Sequence, residues 1–132
     1  MVEEGIYGPL GFTEPILRVL RPYIRVEEEG EVYTKPVPWK VLKKVKKLVP
    51  EKNMEYRHGN APKVLEMFGF GKEGVEYLCY IVTSERPGEK FSIYGILFPK
   101  ENQQLLKAIK SKALGPPTQV YEERGLLALS WE

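Results

Sequence analysis

The sequence predicts a single α+β domain spanning residues 1–132, built on a mostly antiparallel sheet. Three observations lead there. The strong β patterns come in pairs joined by short turns, which makes neighbouring strands antiparallel. Amphipathic helical stretches fall between the pairs, giving the order α-ββ-α-α-ββ-α-ββ, with about six strands in three hairpins and three to four helices. Finally, a chain of 132 residues buries about 65–70% of its unfolded surface, enough for one core without a disulfide or a metal.

The elements follow in order. Thr13 is placed to N-cap a helix over about 14–21, with Pro15 in the first turn, where a missing amide costs nothing. Pro22 ends it. "YIRVEEEGEVYTKPVP" alternates and turns at Gly30, which predicts strands over about 23–28 and 31–36. Pro36 and Pro38 make the second of these an edge strand or a short one. A helix over 38–49 lies between Pro38 and Pro50. Residues 51–61, "EKNMEYRHGNA", have no period and are read as a loop. Pro62 opens a short helix, "PKVLEMF", which stops at "GFGKEG", where Gly69 and Gly71 are expected to end it with positive φ. "VEYLCYIVT" (75–83) and "FSIYGILF" (91–98) are apolar on both alternating faces, so they predict a central hairpin covered on both sides and joined by "SERPGEK". A helix over about 100–113 and a last hairpin around Arg124-Gly125 complete the chain.

Composition narrows the function classes. The single cysteine, Cys79, cannot form an intramolecular disulfide, and its place in an apolar strand predicts a buried, unreactive thiol. No basic segment followed by an apolar core opens the chain, and no apolar run reaches the roughly 18–20 residues of a membrane span. A cytoplasmic location is therefore expected. The sequence has no Asp, few Asn and Gln, and abundant Glu, Lys, Val, Tyr and Pro, a bias known from thermophilic proteins.

The net charge of +2 conceals a segregation. Residues 1–31 hold seven Glu against three Arg, residues 32–50 hold six Lys and no acid, and residues 51–132 balance. The excess sits in "PWKVLKKVKKLVP". At 100° per residue, the aliphatics Val41, Leu42, Val45, Leu48 and Val49 fall within about 120° of arc, while Lys40, Lys43, Lys44, Lys46 and Lys47 share the opposite side. Like charges at i, i+3 and i, i+4 repel, and this chain has ample Glu that could have been interspersed. A row of lysines can instead neutralise phosphates and release counterions. Lysines contact phosphate as point charges, so affinity without base specificity is expected. Trp39 sits in the lysine arc, where it can stack on a base or fold back over the strand ends. Tyr33 and Lys35 are its expected neighbours. The competing reading is a solvated face whose lysines meet Glu27–Glu29 or Glu31.

Other motifs carry less. "GFGKEG" matches G-x-G-x-x-G, but it follows a helix and precedes a strand, the reverse of the dinucleotide fingerprint. The only histidine, His58, lies beside Arg57 in "EYRHGN". The pair forms a fallback anion or catalytic site, set against a simple turn through His58-Gly59-Asn60. No metal-ligand spacing surrounds His58, and no Asp is present for a Ser-His-Asp arrangement, so neither metal nor cofactor is expected. Trp131, beside the last residue of the sequence, suggests a final strand docked on the sheet or on a second copy, as in a homodimer joined through edge strands. The function expected is non-enzymatic: weak, sequence-independent binding to the backbone of DNA or RNA through Trp39, Lys40, Lys43, Lys44, Lys46 and Lys47. The alternatives are an interaction or structural protein, such as a homodimer, with no nucleic-acid role, and then a small enzyme using His58 and Arg57. No membrane role is expected.

Overall fold

The computed structural model describes residues 5–84 and 88–132. The middle of "SERPGEK" and the first four residues lie outside the described residues. The chain runs α1 (Thr13–Leu20), a 3₁₀ turn (Arg21–Tyr23), β1 (Ile24–Glu28), β2 (Glu31–Thr34), β3 (Val37–Pro38), α2 (Trp39–Lys46), α3 (Glu51–Met54), α4 (Val64–Gly69), β4 (Glu76–Val82), β5 (Lys90–Pro99), α5 (Gln103–Lys112), β6 (Gln119–Glu123) and β7 (Leu126–Ser130). The predicted α+β class and antiparallel hairpins are present. The sheet has the order β1-β2-β4-β5-β7-β6, with β3 also pairing β4.

The first and last hairpins form for a local reason. Glu29 and Gly30 both have positive φ, as do Arg124 and Gly125. That is the pattern of a type I′ turn, whose twist matches that of the strands it joins. In the middle, β4 and β5 pair from Glu76↔Leu97 to Val82↔Lys90, and residues 77–82 and 91–98 are buried on both faces.

The two faces are covered differently. Val32, Tyr77, Cys79, Ile81, Phe91, Ile93 and Ile96 meet the helices, among them Ile16, Leu20, Leu42, Val45, Met67 and Phe68. The opposite face carries Leu78, Tyr80, Val82, Tyr94, Leu97 and Ala128, and among the described residues no helix residue packs on this cluster. Instead the sheet curls: Arg25 of β1 and Tyr121 of β6, from the two ends of the strand order, line one cleft.

Several elements differ from expectation. Of the two outcomes expected from Pro36 and Pro38, β2 is the short strand, four residues long, and not the edge, which is β1. β2 stops at Thr34, and β3 resumes the pairing with β4 at Val37↔Tyr77. The Cys79 amide, left opposite the gap, donates to Thr34 Oγ1 at 3.0 Å. Thr13 does not cap its own helix. The carboxylate of Glu89 does so, accepting from Gly11 N, Thr13 N and Thr13 Oγ1. Within the expected loop 51–61, Pro50 starts the one-turn helix α3. There Asn53 clasps the start of β5, donating to Phe91 O at 2.7 Å and accepting from Phe91 N at 2.9 Å. Gly69 and Gly71 do not take positive φ; Gly74 does.

Candidate nucleic-acid interface and the histidine loop

The helix expected over 38–49 is shorter, Trp39–Lys46, with Lys47 as its C-cap. The extended backbone of Pro38 starts it, and Trp39 N–H donates to Val75 O at 3.0 Å. Leu42 and Val45 are 0% exposed, and burying each contributes about 1.5–3 kcal/mol. That burial fixes the rotation of α2. Lys40, Lys43, Lys44, Lys46 and Lys47 are all exposed. Among the described residues, none of the five ammoniums pairs with a carboxylate. The glutamates that could have neutralised them are elsewhere: Glu31 accepts from the Tyr80 hydroxyl, and Glu27, Glu28 and Glu29 belong to the β1 edge and its turn.

Trp39 is half-buried. Its ring lies on Gly71, where an added Cβ would fall 2.3 Å from ring carbons, and its centroid is 6.2 Å from that of Tyr77. The letters of "GFGKEG" thus serve packing: Gly71 is glycine because an indole covers it. The rest of Trp39 lines a groove of about 420 Å³ together with Lys40 and Lys43 on one side and Glu73 and Glu76 on the other. Glu76 is engaged by Arg124. Tyr33 and Lys35 do not join this groove. Lys35 lines two other hollows, and Tyr33 lies on the concave face, 4.7 Å from Tyr80 between ring centroids.

Arg57 and His58, adjacent in sequence, are not brought to one cleft. The Arg57 guanidinium donates to Ala61 O at 2.8 Å and to Lys112 O at 3.0 Å, and lies 3.8 Å from Glu66. It satisfies a carbonyl at the end of α5, a group that no helical amide can reach. His58 begins a turn closed by Ala61 N–H to His58 O at 3.0 Å, with Gly59 at positive φ. Its ring faces the concave side, 5.6 Å from Tyr80 and 5.8 Å from Tyr94. Burial lowers the His58 pKa below its ordinary value, Lys90 lowers it further, and Glu132 opposes them. Cys79 is 0% exposed, and burial pushes its thiol up to about 12, which leaves it protonated and unreactive at neutral pH. Among the described residues no cluster of His, Cys or Glu is arranged to hold a metal, and no helix is long and apolar enough to cross a membrane.

Trp131 is 2% exposed, and its Nε1–H donates to Gly115 O at 3.1 Å, so the last strand docks on its own chain. Beside it an open apolar groove of about 620 Å³ lies between α5, the segment 113–117 and the β6–β7 hairpin, lined by Leu106, Leu114, Val120 and Leu127 among others. Comparison with protein-family models, curated proteins and solved structures gave no match.

Proposed function

We propose that the protein binds the phosphate backbone of nucleic acid through the lysine face of α2. The observation that supports this is the set of five exposed ammoniums on one helix face, with no carboxylate partner among the described residues. Unpaired like charges at helical spacing cost stability, and a polyanion relieves that cost by replacing repulsion with phosphate contacts and released counterions. The aliphatic side of α2 is spent on the core, so the helix has little apolar face to insert into lipid. Lysines read no base edges, and the binding is sequence-independent. Trp39 contributes the part of its ring left open to the groove. Fluorescence anisotropy with labelled duplex and single strands tests this against a Lys43/Lys44/Lys46/Lys47→Glu variant. The variant folds by circular dichroism and loses binding; a folded variant that binds as tightly as the wild type overturns the reading.

One observation favours a second reading, self-association. Leu114 and Val120, 70% and 59% exposed, flank the unpaired edge of β6, and a second copy pairing there across a two-fold would cover them. A mass that rises with concentration and falls on Val120→Lys supports it; a constant monomeric mass contradicts it.

A further inference from the structure

Two register irregularities interrupt the ladders of the sheet, and both serve one surface. The first lies between Ile24 and Val26 and leaves Arg25 as the extra residue of β1. The second lies between Leu78 and Cys79, opposite Gly95 and Ile93, and leaves Tyr94 as the extra residue of β5. Bulges re-aim a side chain and gather beside functional sites. Arg25 and Tyr94, far apart in the strand order, line the same cleft of about 480 Å³, which separates the unpaired edges β1 and β6. That volume lies in the range of small-molecule sites, about 300–1,000 Å³.

The cleft also collects unmet hydrogen-bonding capacity. Among the described residues, two buried side-chain polar atoms have no partner, Ser130 Oγ and His58 Nδ1. Ser130, 2% exposed, lines the cleft. His58 lines an adjoining hollow of about 380 Å³ that shares Arg25 and Glu132 with it. Buried polar groups are ordinarily satisfied, so an orphan in the cleft and another in the hollow beside it call for an explanation. The charges balance: Arg25 and Lys35 stand against Glu123 and Glu132, which disfavours a ligand of net charge. Arg25 and Glu132 do not pair with each other. The Arg25 guanidinium donates a hydrogen bond to the Tyr94 hydroxyl and lies 6.0 Å from the Tyr33 ring centroid, which leaves its other N–H groups and the Glu132 carboxylate facing the same space. Tyr121, 38% exposed, offers ring surface at the mouth.

We propose that this cleft binds a neutral, planar heteroaromatic ring with both donor and acceptor edges, a nucleobase. Tyr121 supplies the stacking surface, Arg25 donates to the ring's acceptors, Glu132 accepts from its amino group, and Ser130 makes the remaining hydrogen bond. The base arrives either as a free nucleoside or as an unpaired base of a strand. The site is independent of the lysine row, because α2 packs on the opposite face of the sheet.

Isotope-labelled protein titrated with adenosine, guanosine, cytidine and uridine tests the inference by NMR, with a short single strand and a blunt duplex as further arms. At least one nucleoside gives saturable shifts at Tyr121 and Ser130. Ser130→Ala weakens it about tenfold, the loss of one well-made hydrogen bond, while melting no lower than the wild type, because its hydroxyl has no partner to lose. The Lys43/Lys44/Lys46/Lys47→Glu variant binds nucleoside unchanged, which separates this site from the lysine face. Ser130-sensitive binding of the single strand but not the duplex identifies strand bases as the source; binding of nucleosides alone identifies free ligand. Absence of shifts with every nucleoside at about 10 mM, enough to reveal a millimolar Kd, overturns the proposal. So does nucleoside binding that neither Ser130→Ala nor Arg25→Gln changes.

Discussion

Reversing one lysine of α2 should make the protein more stable, and Lys43 is the residue to change. Lys40 lies three residues before it, Lys46 three after and Lys47 four after, all exposed on the same face. Each like-charged pair at this spacing costs about 0.2–0.5 kcal/mol, and an opposite pair contributes about as much. Lys43→Glu converts three repulsions into three attractions, a gross change of about 1–3 kcal/mol. Glu73 and Glu76 share a groove with Lys43 and oppose the new carboxylate, and solvent screens exposed charges. The net gain is therefore about 1 kcal/mol, or roughly 3–5 °C in Tm for a chain of this size. Thermal melts followed by circular dichroism at low salt measure it. In about 1 M salt, where the screening length shrinks to about 3 Å, the gain disappears. A variant that melts at or below the wild-type temperature at low salt would refute the claim that the lysines stand unneutralised.

Two further outcomes follow from the buried polar groups. The lowered pKa of His58 means that the unfolded chain, with a histidine near 6.5, binds the proton more tightly than the folded one. Stability is thus complete above about pH 6.5 and declines as pH falls toward the folded pKa. NMR titration of this sole histidine should give a midpoint below about 6.5, and His58→Gln should flatten the decline between about pH 6.5 and 5; a midpoint at or above 6.5 contradicts the assignment. Glu89, 6% exposed, accepts three hydrogen bonds at the start of α1. Glu89→Ala leaves those donors unmet and should cost about 2–4 kcal/mol by chemical denaturation. A loss under about 1 kcal/mol would show that the cap is dispensable.

The face of α2 was legible because helical periodicity sorts lysine from aliphatic without reference to the rest of the chain. The hairpin turns were legible for the same reason, since Gly30 and Gly125 mark positive φ locally. What the sequence did not reveal depends on partners distant along it. The α1 cap comes from Glu89, 76 residues beyond Thr13, and no local rule points to it. Gly71 looked like a helix terminator, whereas its small size answers to Trp39 lying on it. Arg57 and His58 looked like a pair, but the turn from His58 to Ala61 sends one to the α5 carbonyls and the other to the concave face. The bulges at Arg25 and Tyr94 had no signal beyond the alternation they interrupt. Gly95, whose added Cβ would meet Leu78 at 2.7 Å, was the only hint of irregularity in β5.

The salt dependence of duplex binding tests the central claim most directly. With about five lysines on phosphate, log K falls against log salt with a slope of roughly −4 to −5, so affinity drops about 10²–10³-fold between 50 and 200 mM salt. The Lys43/Lys44/Lys46/Lys47→Glu variant removes that slope with the binding. No binding at about 50 mM salt, or a fall of less than about tenfold across the range, would mean that the lysine face of α2 meets only water.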